Sequence, residues 1–230
     1  MRKNDGARPV PAARGTFGRR SLLGAALGLG PMAWASGGRA VAAAPGRPEI
    51  FGCGQWGARP PAGPVTVLDA PPRRIVVHHT ATANVDDFSP EHAFALARAV
   101  QAHHMDGRGW IDTGQHFTVS RGGHTTEGRH RSLDELAGGR RQVRASHCVG
   151  QNDVAVGIEV EGTYTRTDPP AGQYEALAGL CAHVCDQYGL DPYGIDGHRD
   201  HNATACPGDR LYALLPRLRE DVAARCRRGW

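Results

Sequence analysis

The sequence predicts a mixed α/β fold (α+β in the way its elements intermix): a central, mostly mixed β-sheet flanked by about three helices. Three observations predict it. Residues 154–161 alternate strictly, with Val154, Val156, Ile158 and Val160 on one face and Ala155, Gly157, Glu159 and Glu161 on the other, the period of a strand. Residues 171–188 place Tyr174, Leu177, Ala178, Cys181, Cys185 and Tyr188 on one helical stripe. From Asp209 to about Cys226 the same spacing returns with Leu211, Leu215, Leu218 and Val222. Strand and helix signals intermix along the chain, as they do where helices cover a sheet.

The first 44 residues read as a leader. They hold seven Lys/Arg and one acid, which leaves 20 bases and 22 acids for the rest of the chain. The net charge of +4 therefore belongs to the leader, and it does not indicate nucleic-acid binding. A basic stretch ends in Arg19-Arg20, an apolar run follows from about Leu22 to Ala35, and small residues precede Pro45. This is the layout of a secretory signal, and the paired arginines indicate the twin-arginine type. The apolar run contains Pro31 and is shorter than the roughly 20 residues of a membrane span. The expectation is a signal peptide over 1–44 and one domain over 45–230, secreted, monomeric and without a membrane span. Six cysteines, at 53, 148, 181, 185, 206 and 226, suit an oxidising compartment. The expected disulfides are Cys148 with Cys181 or Cys185, and Cys53 with Cys226.

The remaining elements follow in order. Residues 45–73 are rich in Pro and Gly and read as irregular chain. Residues 75–79 form a short β-rich run. Ser89-Pro90-Glu91 starts a helix, with Ser as N-cap and Pro at the first helical position. That helix runs to about Met105 with Ala93, Leu96, Ala97, Val100 and His104 on one stripe. Residues 115–120 and 124–127 form a hairpin around Arg121-Gly122-Gly123. Residues 128–150 are polar and Gly-containing and read as a long loop. Residues 194–198 make a short strand. Small residues beside Glu159 on the second face of 154–161 suggest space above the sheet for a ligand.

The chemistry lies in two segments far apart in sequence. One contains His78-His79, and the other His198, His201 and Cys206. Imidazole and thiolate are ligands for Zn²⁺, and three protein ligands leave a position open for water. Neighbouring strand residues face opposite ways, so one of His78 and His79 serves easily and the other is left for a structural hydrogen bond. Spacing alone leaves His198 and His201 in competition.

Several landmarks now fall into line: Trp56-Gly57-Ala58-Arg59-Pro60-Pro61, Ile75-Val76-Val77-His78-His79-Thr80-Ala81, and Gly109-Trp110-Ile111-Asp112-Thr113-Gly114-Gln115-His116-Phe117. Glu127-Gly128-Arg129, Ser146-His147, Gln151-Asn152, Val156-Gly157-Ile158-Glu159 and Gly197-His198 through Cys206-Pro207-Gly208 follow. In this order, over residues 55 to 222, the chain resembles the type-2 N-acetylmuramoyl-L-alanine amidase family, which includes the peptidoglycan recognition proteins. The resemblance implies that fold and a zinc hydrolase that cuts between the lactyl group of N-acetylmuramic acid and L-alanine. Peptidoglycan or its muropeptide fragments would be the partner. It also implies His78, His198 and Cys206 as the zinc ligands. Many relatives carry a catalytic Tyr where this chain has Gln115, which cannot transfer a proton. The segment around Glu159 resembles the anhydro-muropeptide branch, whose catalytic Glu matches that position, so Glu159 is expected as general base and acid. Thr204 is expected near the substrate carbonyl, and Thr80, Gln115, Arg129, His147 and Asn152 are groove candidates by the same resemblance. A bidentate contact from Arg129 to a stem-peptide carboxylate is expected. The alternative implied by the same family is a recognition module that binds muropeptides without cutting them.

Overall fold

The computed structural model of this chain describes residues 47–228; the expected leader lies outside the described residues. In chain order these form β1 (Ile50–Phe51), α1 (Cys53–Trp56), β2 (Val67–Leu68), β3 (Arg74–His79), α2 (Pro90–Ala102), β4 (Phe117–Val119), β5 (Thr125–Glu127), α3 (Ser132–Gly138), β6 (Gln142–Val143), β7 (Ala155–Val160), α4 (Ala171–Tyr188), β8 (Ile195–Gly197) and α5 (Asp209–Arg228). A π-helical turn at His103–Gly107 extends α2, and a 3₁₀ turn at His198–Asp200 follows β8.

The main sheet has the order β1-β5-β4-β7-β3-β8. It is mixed: β4 and β5 pair antiparallel, and every other pairing is parallel. β3 sits between β7 and β8, so its Ile75-Val76-Val77 run is buried on both faces, as a central parallel strand requires. On one face, Ile75, Val77, Val156, Ile158 and Val160 pack against Leu177, Leu180, Leu211 and Leu215 of α4 and α5. On the other, Val76 and Ala155 pack with Cys148. β7 thus buries the face that its alternation marks, and α4 spans the residues its stripe predicts. A smaller cluster holds Cys53 and Trp56 of α1 against Ala97 of α2. Ser89 caps α2, its hydroxyl accepting from the His92 N–H at 3.2 Å. No helix among the described residues is long and apolar enough to cross a membrane.

Three expectations need correction. The stretch 45–73 is not uniformly irregular: it contains β1, α1 and β2, which depend on distant partners. β1 pairs with β5, and β2 with β6. The stretch 128–150 is not a continuous loop, since α3 and β6 lie within it. α3 gives no local start signal because its N-cap, Arg131, is left-handed (φ 73°) and makes no side-chain cap. The cap comes instead from Glu127, whose Oε1 accepts from Leu133 N at 2.9 Å. Its other oxygen accepts from Cys53 N at 2.9 Å, at the start of α1. One buried carboxylate thus satisfies two helix N-termini. Glu127→Ala should cost on the order of 3 kcal/mol by leaving both donors unmet; a urea midpoint equal to wild type would refute this.

The third correction concerns cysteine. All six are free thiols. Cys148 packs with Val76 and Ala155, whereas Cys181 and Cys185 lie in the core on the opposite face; the sheet separates them. Cys53 belongs to the Trp56 cluster, and Cys226 packs against the α4–α5 core.

Candidate metal centre

Parallel pairing of β3 with β8 aligns Val77 with Gly197. The next residue on each chain, His78 and His198, therefore stands at the carboxyl end of adjacent strands, where open α/β sheets place their ligands. The turn after His198 returns Cys206 to the same point, with Arg199 N donating to Cys206 O at 3.1 Å. One ligand atom from each of His78, His198 and Cys206 lies within 4.8 Å of the other two. His78 Nδ1 is 3.1 Å from His198 Nδ1 and 3.7 Å from Cys206 Sγ. In a tetrahedral zinc site with ordinary bond lengths, nitrogen–nitrogen and nitrogen–sulfur edges are about 3.3 Å and about 3.6 Å. The donor set fits that ion in type, and the two edges at His78 fit it in spacing.

The other two candidates are engaged elsewhere. His79 faces the opposite side of β3, and its Nδ1 accepts from Tyr164 N at 3.2 Å. His201 Nε2 lies 3.2 Å from Asp196 Oδ2. His79 still contributes to the site through its backbone N–H, 3.4 Å from Cys206 Sγ. Burial, and then the neighbouring His147 and His198, hold His78 well below the ordinary imidazole range. It is therefore neutral, with a lone pair to offer. Burial pushes the Cys206 thiol up to about 12, partly offset by the His79 N–H. A divalent cation beside it would reverse that preference, since a coordinating thiol is deprotonated outright.

The centre forms the floor of an open cavity of about 580 Å³. Register pairs His78 with Glu159 across β3 and β7, and Thr118 with Glu159 across β4 and β7. His78 and Glu159 are therefore side by side on one face. Glu159 is half-buried, and burial pushes its carboxyl up to about 7. Among the described residues, no hydrogen bond reaches that carboxylate.

Gln115, Thr204, His147 and Asn152 also line the cavity. Gln115 is 1% exposed. Its Nε2 donates to Thr118 Oγ1 at 2.8 Å, while its Oε1 has no partner among the described residues. Thr204 is exposed, its Oγ1 accepting from Cys206 N at 3.2 Å, so the hydroxyl proton remains free to donate. Asn152 Oδ1 accepts from His147 N and Cys148 N at 2.8 and 2.9 Å, which shapes the loop.

Two candidates are not brought to this floor. Thr80 Oγ1 accepts from Gly162 N at 2.9 Å and shares a hydrogen bond with Thr82. Arg129 is 4% exposed, and its three guanidinium nitrogens donate to Thr113 O, Arg144 O and Ser146 Oγ at 2.7, 3.0 and 3.0 Å. It braces the groove wall through these internal bonds. The space expected above β7 is present at Glu159, which lines the cavity, but is taken at Gly157. A Cβ on Gly157 would fall 2.4 Å from the His147 ring, so that glycine makes room for a side chain of the protein itself.

Residues that sequence reasoning missed include His104, Trp110 and Asn202, all at this cavity. The π turn carries His104, which stacks on Trp110 with ring centroids 4.7 Å apart and accepts from Gly114 N at 3.1 Å. Burial lowers His104 to about 4, so it faces the groove neutral. The available signal was the second of two adjacent histidines at a helix end. Asn202 lies four residues after His198 and bonds to it at 3.1 Å.

Comparison with known proteins agrees with this geometry. The family model described as Amidase_2, N-acetylmuramoyl-L-alanine amidase, matches residues 68–209. Peptidoglycan recognition protein 1 of Bos indicus is 33% identical over 73% of this chain and 82% of its own length. The human N-acetylmuramoyl-L-alanine amidase is 31% identical over 80% of this chain, which spans only 32% of that protein. Among solved structures, peptidoglycan recognition protein-LE in complex with tracheal cytotoxin, a monomeric diaminopimelic acid-type peptidoglycan, superposes with a TM-score of 0.64 at 26% identity. That match covers 73% of this chain and 92% of the other. The sheet, the site at its carboxyl edge and these matches together show that the chain belongs to the N-acetylmuramoyl-L-alanine amidase family that includes the peptidoglycan recognition proteins, with a role in peptidoglycan cleavage or recognition.

Proposed function

We propose that this chain is a secreted, zinc-dependent N-acetylmuramoyl-L-alanine amidase that hydrolyses the lactyl–L-alanine bond of peptidoglycan. The observation that carries the proposal is the convergence of His78, His198 and Cys206 at spacings that suit a tetrahedral ion. The muropeptide bound to a relative of the same fold supports the substrate class.

Bound zinc supplies polarisation of the scissile carbonyl and a lowered pKa for water at the site. The chain's own residues do the rest. Glu159, beside His78, takes the proton of the attacking water and returns it to the departing amine of L-alanine. The Thr204 hydroxyl donates to the oxygen that gains charge, a single donor of the oxyanion-hole kind. Gln115 has no proton to exchange and is buried against Thr118, while Asn152 offers an amide contact to the substrate. Metal analysis and mass spectrometry of muropeptide digests test the reading together. The expected product is free stem peptide with a new L-alanine amino terminus. Intact muropeptide after incubation with zinc-loaded protein would overturn it. That result would favour a binding module, the reading to which Gln115 in place of Tyr points.

Export rests on the leader in residues 1–44. Replacing Arg19 and Arg20 by lysine should abolish export of the full chain while leaving synthesis intact. Unchanged export on cell fractionation would rule out the twin-arginine route.

A further inference from the structure

The two imidazole ligands are held by partners whose chemistry fixes the position of every ring proton. Consider His78 first. Its Nε2 lies 2.9 Å from His147 Nδ1, and His147 Nε2 lies 3.3 Å from the Ala155 carbonyl oxygen. A carbonyl only accepts, so His147 carries its proton on Nε2. In a buried setting the neutral imidazole is favoured, so His147 Nδ1 is bare and accepts. His78 must then donate from Nε2, which leaves its Nδ1 bare. His147 itself is seated over Gly157, where any side chain would strike its ring, and its rim contact with His78 is edge-on, centroids 5.0 Å apart.

His198 is fixed by a different device with the same result. Asn202 Nδ2 lies 2.8 Å from His201 O and 3.3 Å from Val149 O. Both partners are acceptors, so the amide nitrogen belongs at that end and the oxygen at the other. Asn202 Oδ1 is 3.1 Å from His198 Nε2, and it also receives the Cys148 thiol at 3.3 Å. His198 therefore donates from Nε2, and its Nδ1 is bare. The 3.1 Å approach of His78 Nδ1 to His198 Nδ1 then brings two lone pairs face to face with no hydrogen between them, an arrangement that a cation relieves.

We propose that His147 and Asn202 are positioning residues, which lock His78 and His198 in the Nε2–H tautomer and so aim both Nδ1 atoms at one ion beside Cys206. The inference rests on the zinc reading above and adds how this chain prepares the site. Such outer hydrogen bonds typically change metal affinity by roughly 10–100-fold when removed. Asn202 also ties the 146–152 loop to the ligand turn, so the groove wall and His198 share one side chain.

The test uses the folded protein, with circular dichroism to verify each variant. Competition with a chromophoric chelator should show Zn²⁺ and Co²⁺ bound roughly 10–100-fold more weakly by His147→Ala and by Asn202→Ala. Asn202→Asp keeps an acceptor for His198 and should retain near wild-type affinity, although it loses the links to Val149 and His201. In Co²⁺-loaded Asn202→Asp the thiolate charge-transfer band should match wild type. ¹⁵N NMR of the metal-free wild type, which needs no variant, should report Nε2–H on both His78 and His198. An Nδ1–H tautomer on either ring, or unaltered affinity in both alanine variants of a protein that binds zinc, would overturn the positioning role alone. Wild-type protein that binds neither metal would overturn the zinc reading and this role with it.

Discussion

Glu159→Gln should lower amide hydrolysis by roughly 10²–10⁴-fold and leave stoichiometric zinc in place. The substitution keeps shape and hydrogen-bonding capacity but removes the exchangeable proton. Register sets the carboxylate beside His78, and none of the three metal-donor atoms depends on it. Burial pushes its pKa up to about 7, near the value at which one group can both take and return a proton at neutral pH. Gln115 cannot substitute for it, because a carboxamide does not titrate in this range. The effect should fall on kcat rather than KM, since transfer of the proton belongs to the transition state. Metal content by elemental analysis and turnover on muropeptides decide the matter, and turnover within a few-fold of wild type would remove Glu159 from the mechanism.

Chelation should have the other large effect. Dialysis against a strong chelator should abolish hydrolysis, and added Zn²⁺ should restore it. Stability should fall in parallel. An ion that binds only the native state adds about 2.7 kcal/mol at a free concentration 100 times its Kd, or roughly 5–10 °C in Tm for a domain of this size. Without the ion, two imidazole nitrogens face one another at 3.1 Å and the thiol stays protonated. Cys206→Ser should reproduce the loss of metal without altering the α4–α5 core, since Cys206 contacts the turn and β3 rather than that core. Full activity in demonstrably metal-free protein would exclude metal assistance.

Long periodic elements were legible in the sequence because their signal is local. α4, α5 and β7 each bury a face that their own residues define. α3 was not legible, because its capping group, Glu127, stands outside its own first turn and contacts Leu133 across a bend. The short elements before β3 were missed for a related reason, since β1 and β2 exist only through pairing with β5 and β6. The site divides the same way. Alternation along β3 separates His78 from His79, spacing alone leaves His198 and His201 open, the resemblance selects His198, and the fold supplies the physical reason by turning His201 toward Asp196. Small residues on the Glu159 face of β7 signal open space, which the cavity at Glu159 provides, but the sequence does not show that His147 fills the place over Gly157. The resemblance offers Arg129 as a groove residue, and the three internal acceptors that engage its guanidinium are set by the fold and leave no trace in the local sequence.

The pairing of β3 with β8 has a consequence for the order in which the molecule matures. His78 and His198 are 120 residues apart in sequence, and they meet only when an edge strand docks in parallel beside a central one. Long-range parallel pairing is among the slower events of folding, because the intervening chain must be closed before the contact is rewarded. The ligand set stays divided until β8 and the turn that carries Cys206 have docked beside β3. A chain in which β8 has not docked therefore keeps His78 on β3 apart from the other two donors, and the candidate metal centre exists only once the sheet is closed along that edge.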